Sequence, residues 1–363
     1  MRIMPFNPDI AYNDLPLLPP ACDIETKAIL KKSVTSARAL AELKGTVDLL
    51  PDQAILVNAL LLQEARFSSE IDNIITTQDD LLNATLNETQ VTDTSIKDVL
   101  QYRDALLFGY ESLTDNPLSL DLIRKIYGIL KGKEDDFRKP GEQIVFRNRQ
   151  TKEIRYTSPT GGTAVFEKLI NMEQFLNRRY GLDPLIKMAA AHYQFEAILP
   201  FLDGNGRIGR ILNVIYIISA GLLKNPVLCL SRYIIKSKNT YNNLIRSVIE
   251  GGNWEPWILY ILQGVEETAL WTIDRIMEIK ALFDETIILC KDKAPDIYSK
   301  ELIELIFRQP YCKIGFLNDF GIAKRQSASK YLKKLEEIGI LEGEKRGREM
   351  IFKHPALMKI LEG

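Results

Sequence analysis

The sequence predicts a mainly α-helical protein with one β-hairpin and a C-terminal winged helix-turn-helix. Three observations carry that reading. Apolar residues recur at near-3.6 spacing along most of the 363 residues. One stretch, 143–156, breaks that rhythm with two short strand-like runs. After a polar stretch at 290–299, helix, helix, second helix and hairpin follow in that order.

Composition narrows the function. The chain is 46% hydrophobic and 26% charged, which excludes disordered and collagen-like classes and suits two or three domains. Lys+Arg is 47 against 48 Asp+Glu, so bulk nucleic-acid or membrane-surface binding is not expected, although a local patch remains open. Cys22, Cys229, Cys290 and Cys312 form no C-x-x-C pair, so reduced thiols and a cytoplasmic location are expected. The start lacks the apolar core of a signal peptide. The run Ile211 to Leu223, interrupted by Asn213 and Ser219, is too short for a bilayer and reads as a core helix.

In chain order, the proline-rich first 20 residues read as an extended surface arm. Ala28, Leu30, Val34, Ala37, Leu40, Leu43 and Val47 mark the first helix. Further helices are expected at 52–75, 94–113, 118–131, 163–179, 184–198, 206–221, 237–250, 254–280 and 283–291. Asp115-Asn116-Pro117 and Gly251-Gly252 supply breaks. Residues 143–147 and 154–156 flank Asn148-Arg149-Gln150-Thr151-Lys152 as a hairpin that must lean on the helices. Cys290–Ser299 reads as a linker. A helix at 299–308, Lys313–Phe320, a helix at 322–335, a turn at Gly343–Gly347 and a strand at 349–353 complete the winged unit. The expected division is 1–95, 96–290 and 291–363.

The run His192 to Asn213 carries the chemistry. Asp203-Gly204-Asn205-Gly206 places small residues just before a helix start. Free N–H groups and the positive helix end there make an anion cradle. Arg207 and Arg210 share a helix face, which suits a polyphosphate, and the Asp203 carboxylate suits its Mg²⁺. The plainer alternative is a Gly-Asn turn between core helices.

This run resembles the signature of the Fic family, His-Pro-Phe-x-Asp/Glu-Gly-Asn-Gly-Arg-x-x-Arg. Pro200, Phe201, Asp203, Gly204, Asn205, Gly206, Arg207 and Arg210 all match. The resemblance extends to an N-terminal helical region, the hairpin and the winged helix. It implies a protein adenylyltransferase that moves AMP from ATP to a Ser, Thr or Tyr hydroxyl of a target protein. By that resemblance Asp203 holds Mg²⁺, Gly204, Asn205 and Gly206 cradle the inner phosphates, and Arg207 and Arg210 grip the outer ones. Leu199 and Asn205 fall at catalytic positions, but Leu199 stands where the family has its general-base histidine. Leucine accepts no proton, so transfer is expected to be impaired or absent while the nucleotide site remains. His192 reads as a structural histidine, and Glu196 as a solvated or N–H-paired carboxylate.

The resemblance assigns further residues. Ser68, Asp72 and Asn73 match the family's inhibitory motif Ser/Thr-x-x-x-Glu-Gly/Asn, with Asp72 at the glutamate position facing Arg210. A polar helix end is the alternative there. Ile144, Val145, Ile154 and Tyr156 belong to the target-docking flap, for which a purely structural hairpin is the alternative. Tyr241 and Asn242 fall at the adenine pocket, with plain packing as the alternative for Tyr241; Trp254 and Trp257 read as core. Lys324, Arg325, Lys330, Lys333 and Lys334 crowd the second helix of the winged unit. Protein interaction or a dimer contact is favoured for that unit over DNA. The rival to the enzyme reading is a non-catalytic nucleotide-binding regulator acting through the winged helix on DNA or a protein.

Overall fold

The structure is a computed structural model that describes residues 6–86, 91–113, 118–133, 136–147, 150–178, 181–346 and 349–362. The expected Asp115-Asn116-Pro117 joint, Asn148-Arg149 of the hairpin turn and Gly347 lie outside those residues.

The fold is mainly helical, as expected. Two helices form its centre: α7 (Pro184–Ile198) and α8 (Asn205–Ser219). Pro184 opens α7, and the Asp183 carboxylate accepts from the Leu185 and Ile186 N–H groups. Nearly every side chain of α7 is buried, so it shows no polar face. Around this pair pack α2 (Ala54–Ile71), α4 (Thr94–Ser112), α5 (Leu120–Lys131) and α6 (Thr163–Asn177). On the other side lie α9 (Leu230–Lys236), α10 (Lys238–Gly251) and the long α11 (Trp254–Lys293), with α1 (Lys27–Thr46) along it.

Several expectations need correction. The helices at 254–280 and 283–291 are one 40-residue helix, because Lys280-Ala281-Leu282 favour helix and no Pro or Gly separates them. The linker at 290–299 is therefore mostly absent. Helix α11 runs to Lys293 and stops before Pro295, and Ala294 and Ile297 are buried. The expected boundary at 291 falls inside α11, and that at 96 inside α4. The N-terminal arm is not simply laid on the surface. Leu15 and Leu18 are buried, Tyr12 N–H donates to Thr157 O at 3.1 Å, and Lys168 Nζ donates to Asn13 O at 2.7 Å. Short helices α3 (Gln78–Leu86) and α9 were not anticipated.

The hairpin pairs β1 (Val145–Arg147) antiparallel with β2 (Ile154–Thr157), in register Val145↔Thr157 and Phe146↔Tyr156, with an irregularity after Phe146. The C-terminal unit is α12 (Lys300–Arg308), β3 (Tyr311–Lys313), α13 (Ile314–Asp319), α14 (Arg325–Glu337), β4 (Glu342–Arg346), β5 (Glu349–Lys353) and α15 (Pro355–Glu362). Its sheet order is β3-β5-β4. The turn expected at Gly343–Gly347 is instead largely strand β4. Among the described residues no helix is long and apolar enough to cross a membrane.

Candidate functional site

The α7–α8 junction is built by unusual backbone. Leu199 ends α7 in the left-handed region (φ 50°), where a branched side chain is disfavoured by roughly 1–2 kcal/mol. Its N–H donates to Phe195 O at 3.0 Å, and its carbonyl accepts from Arg138 Nε at 2.7 Å. Arg138 also donates to the carbonyls of Ile198 (3.0 Å), Pro159 (2.8 Å) and Glu142. One buried guanidinium therefore ties the end of α7 to the base of the hairpin.

The loop that follows is self-capped. Asn205 Oδ1 accepts from Phe201 N–H at 2.9 Å, and Asn205 Nδ2 donates to Phe201 O at 2.8 Å. The Phe201 ring stacks on Tyr127, 3.7 Å between centroids. Gly204 takes φ 72°, the left-handed turn that glycine adopts without strain. The Ile208 N–H returns to Gly204 O, so the N–H groups of residues 205–207 have no intrahelical acceptor. A Cβ on Gly206 would sit 2.9 Å from Arg210 Nη1, so glycine is what lets that guanidinium lie beside the helix start.

The two arginines differ in their partners. Arg210, 2% exposed, donates from Nε to Ser68 Oγ (2.7 Å) and from Nη2 to Ser68 O (2.9 Å) and Asp72 Oδ2 (3.1 Å). Burial pulls its pKa down, but Asp72 and neighbouring acidic groups outweigh this and raise it. Arg207 is also buried, yet its Nε and Nη1 have no hydrogen bond. Its nearest carboxylates are Asp72 at 3.8 Å and Asp98 at 3.7 Å. Asp203, whose side chain is 64% exposed, meets Lys131 Nζ at 2.9 Å and Tyr127 Oη at 3.3 Å. Asn73 turns the chain at φ 66°, and its Oδ1 accepts from Lys238 Nζ at 3.4 Å.

Behind Arg210 lies a layer that sequence reasoning missed. Glu64, one turn before Ser68, accepts from Ser231 N–H at 3.0 Å, from the Ser231 hydroxyl, and from Tyr102 Oη at 3.2 Å. Burial pushes its carboxyl up to about 7 against these bonds. The only signal was a lone charge in the apolar run Leu60-Leu61-Leu62-Gln63-Glu64-Ala65. Arg138 gave no periodic signal at all. Glu196 departs from expectation: its Oε1 is buried without a partner, and burial raises its carboxyl to about 7. His192 is structural. It shares a 2.8 Å hydrogen bond with Tyr241 Oη, stacks on Trp257, and is pushed down to about 3 by burial.

Two expected site residues turn inward. Tyr241 is buried among His192, Trp257 and Tyr260, with its hydroxyl 2.8 Å from His192 Nε2. Asn242 is exposed instead. Tyr156 turns inward and donates to Ala197 O, so of the four flap residues it cannot face a docked segment. Val145 is exposed, with Ile144 and Ile154 half-buried.

Family models match three stretches: "Fic/DOC family N-terminal" over 30–111, "Fic/DOC family" over 117–217, and "Protein adenylyltransferase SoFic-like, C-terminal domain" over 282–357. The chain belongs to the Fic family. Curated relatives named protein adenylyltransferase fic-1 match over 97 residues, at 33% identity in Caenorhabditis briggsae and 34% in Caenorhabditis elegans. That match spans 26% of this Fic chain and 18% of each relative. A Fic family protein from Desulfovibrio desulfuricans G20 shares the fold at TM-score 0.58 and 17% identity, over 91% of this chain and 96% of that one. Fic-1 (aa134–508) from C. elegans does so at 0.53 and 19%, over 69% and 74%.

Proposed function

We propose that this Fic protein binds ATP with Mg²⁺ at the α7–α8 junction and that its capacity to transfer AMP to protein hydroxyls is curtailed by Leu199. The observation that carries the reading is Arg207: two buried guanidinium nitrogens without hydrogen bonds, beside three uncommitted helical N–H groups. Buried donors in that state call for an anion. Gly204 to Gly206 would receive the inner phosphates, and Arg207 and Arg210 the outer ones. Asp203 would hold Mg²⁺ together with the phosphates. One exposed carboxylate suits an ion that is usually bound by one or two carboxylates plus substrate oxygens. When bound, Mg²⁺ supplies charge neutralisation along the triphosphate.

AMP transfer joins a hydroxyl oxygen to the α-phosphorus and expels pyrophosphate. The hydroxyl proton needs an acceptor. Leu199 has none, and loss of a general base typically costs about 10²–10⁴-fold. Positioning by the loop remains. Asp72 holds Arg210 and so opposes the outer phosphate; Ser68 and Asn73 frame that contact. The exposed β1 edge of the hairpin is the part of the flap suited to a target segment. A solely regulatory protein is the second reading, and the missing base is the observation that favours it.

The test has two arms. Calorimetry with MgATP measures binding, and incorporation of α-labelled ATP in a lysate compares the native chain with Leu199→His. Binding by both, with labelling by Leu199→His alone, is expected. Absence of MgATP binding would remove the nucleotide site itself. Binding without labelling by either chain would leave the regulatory reading.

A further inference from the structure

We propose that the outward face of α14 is a docking surface for duplex DNA. The winged module is anchored to the rest of the chain by every element except α13 and α14. Arg308 of α12 binds Asp52, just before α2, with Nε at 2.7 Å. Asp79 of α3 binds Tyr311 of β3, Arg346 of β4 and Lys353 of β5. Gln63 of α2 donates to the Leu361 carbonyl of α15. Helices α13 and α14 pack on each other and on β3 and β4.

That leaves α14 with one face inward and one face free. Ala328, Leu332 and Leu335 are buried against the module. Lys324, Arg325, Gln326, Ser327, Lys330 and Lys333 are exposed. Lys334 is paired with Glu337 at 3.1 Å, whereas no salt bridge holds Lys324, Arg325, Lys330 or Lys333 among the described residues. No large apolar side chain is exposed on α14. Phe320, half-exposed in the turn before α14 and beside the Arg308 guanidinium, lies outside the helix and off this face's centre. A protein-docking face needs an apolar anchor at its centre, and this face lacks one. Unpaired cations interspersed with short polar groups instead complement a polyanion.

Shape selects the duplex among polyanions. A helix about 10–12 Å across fits a major groove about 12 Å wide. Lys324 at the N-cap, Arg325 and Lys330 lie at or within the N-terminal half of α14, the half that reaches base edges in helix-turn-helix docking, with Lys333 one turn further on, and Gln326 and Ser327 sit in that half with donors and acceptors. The acidic groups near this face mark its limits. Glu336 and Glu337 close the far end of α14, Asp319 ends α13, and Glu342 opens β4.

The magnitude follows from the charge count. Four neutralised phosphates give a slope of log affinity against log salt of about −3.6, or about 150-fold between ~50 and ~200 mM. The experiment is fluorescence anisotropy of a labelled mixed-sequence duplex of about two helical turns with the full chain. We expect that slope, at least a tenfold loss with Lys330→Glu/Lys333→Glu, and the same affinity as the native chain for Lys280→Glu on α11. Lys324→Gln/Arg325→Gln gives the same reading independently if the first pair impairs folding. Absence of binding at low salt, a slope indifferent to both pairs, or tighter binding to polyglutamate than to the duplex overturns the proposal. None of these outcomes depends on the nucleotide site.

Discussion

Removing the Asp72 carboxylate should weaken the fold and strengthen nucleotide binding at once. Arg210 is 2% exposed and Asp72 35%, with 3.1 Å between them. The pair lies between a buried and a surface ion pair, so its loss costs about 1–2 kcal/mol. At roughly 2.1 cal/mol/K per residue, 363 residues unfold with an entropy of about 0.8 kcal/mol/K, so Tm should fall by about 1–3 °C. A phosphate oxygen that takes Arg210 must first displace Asp72. Asp72→Ala returns that energy, which corresponds to about 5–30-fold tighter MgATP. AMP lacks the outer phosphates, so its affinity should not change. Calorimetry with MgATP and AMP, run beside thermal melts, reads all three numbers. Equal gains for AMP and ATP, or no gain for either, would refute a latch between Asp72 and the outer-phosphate arginine.

Three further outcomes follow from the packing. The Glu64 carboxyl rises to about 7 in the fold from an ordinary 4.5, so its contribution is complete below 4.5 and is lost as pH climbs through 7. Melts of the native chain should therefore lose ground to Glu64→Gln across that window. Gly209→Ala would set a Cβ 2.8 Å from Glu196 Oε1 and 3.3 Å from Phe195 Cδ1, and denaturant titration should show a loss of about 1–3 kcal/mol. Asn205→Ala strips both bonds from Phe201, and should cost about 1–3 kcal/mol in the same titration and weaken MgATP in calorimetry.

The helices α4 to α8 were legible because each carries a clear start signal or an unbroken apolar period. Asp93, Ser119 and Asp183 cap as their positions suggest. Helix α11 was split in error because its apolar face drifts around a long cylinder while short windows look for one stripe. Helix α9 has seven residues, too few for a period to register. The grouping of Asp203, Gly204, Gly206, Arg207 and Arg210 was legible because they sit at fixed offsets in a single run. The supporting layer was not. Glu64 meets Ser231 across 167 residues, and Arg138 meets Leu199 across 61, and nothing local in the chain announces such meetings. Tyr156 and Tyr241 show the same limit: residue type marks an aromatic, while only packing decides whether its ring faces solvent.

The backbone of residue 199 is fixed at both of its polar groups: its N–H on the Phe195 carbonyl and its carbonyl on the Arg138 guanidinium. The side chain is buried in the core, and leucine bears the left-handed backbone less comfortably than histidine does. The two bonds that fix the backbone here do not depend on which side chain the position carries. Leucine and histidine codons can lie one base apart. A single base change would therefore exchange the side chain at this position while leaving both backbone bonds in place.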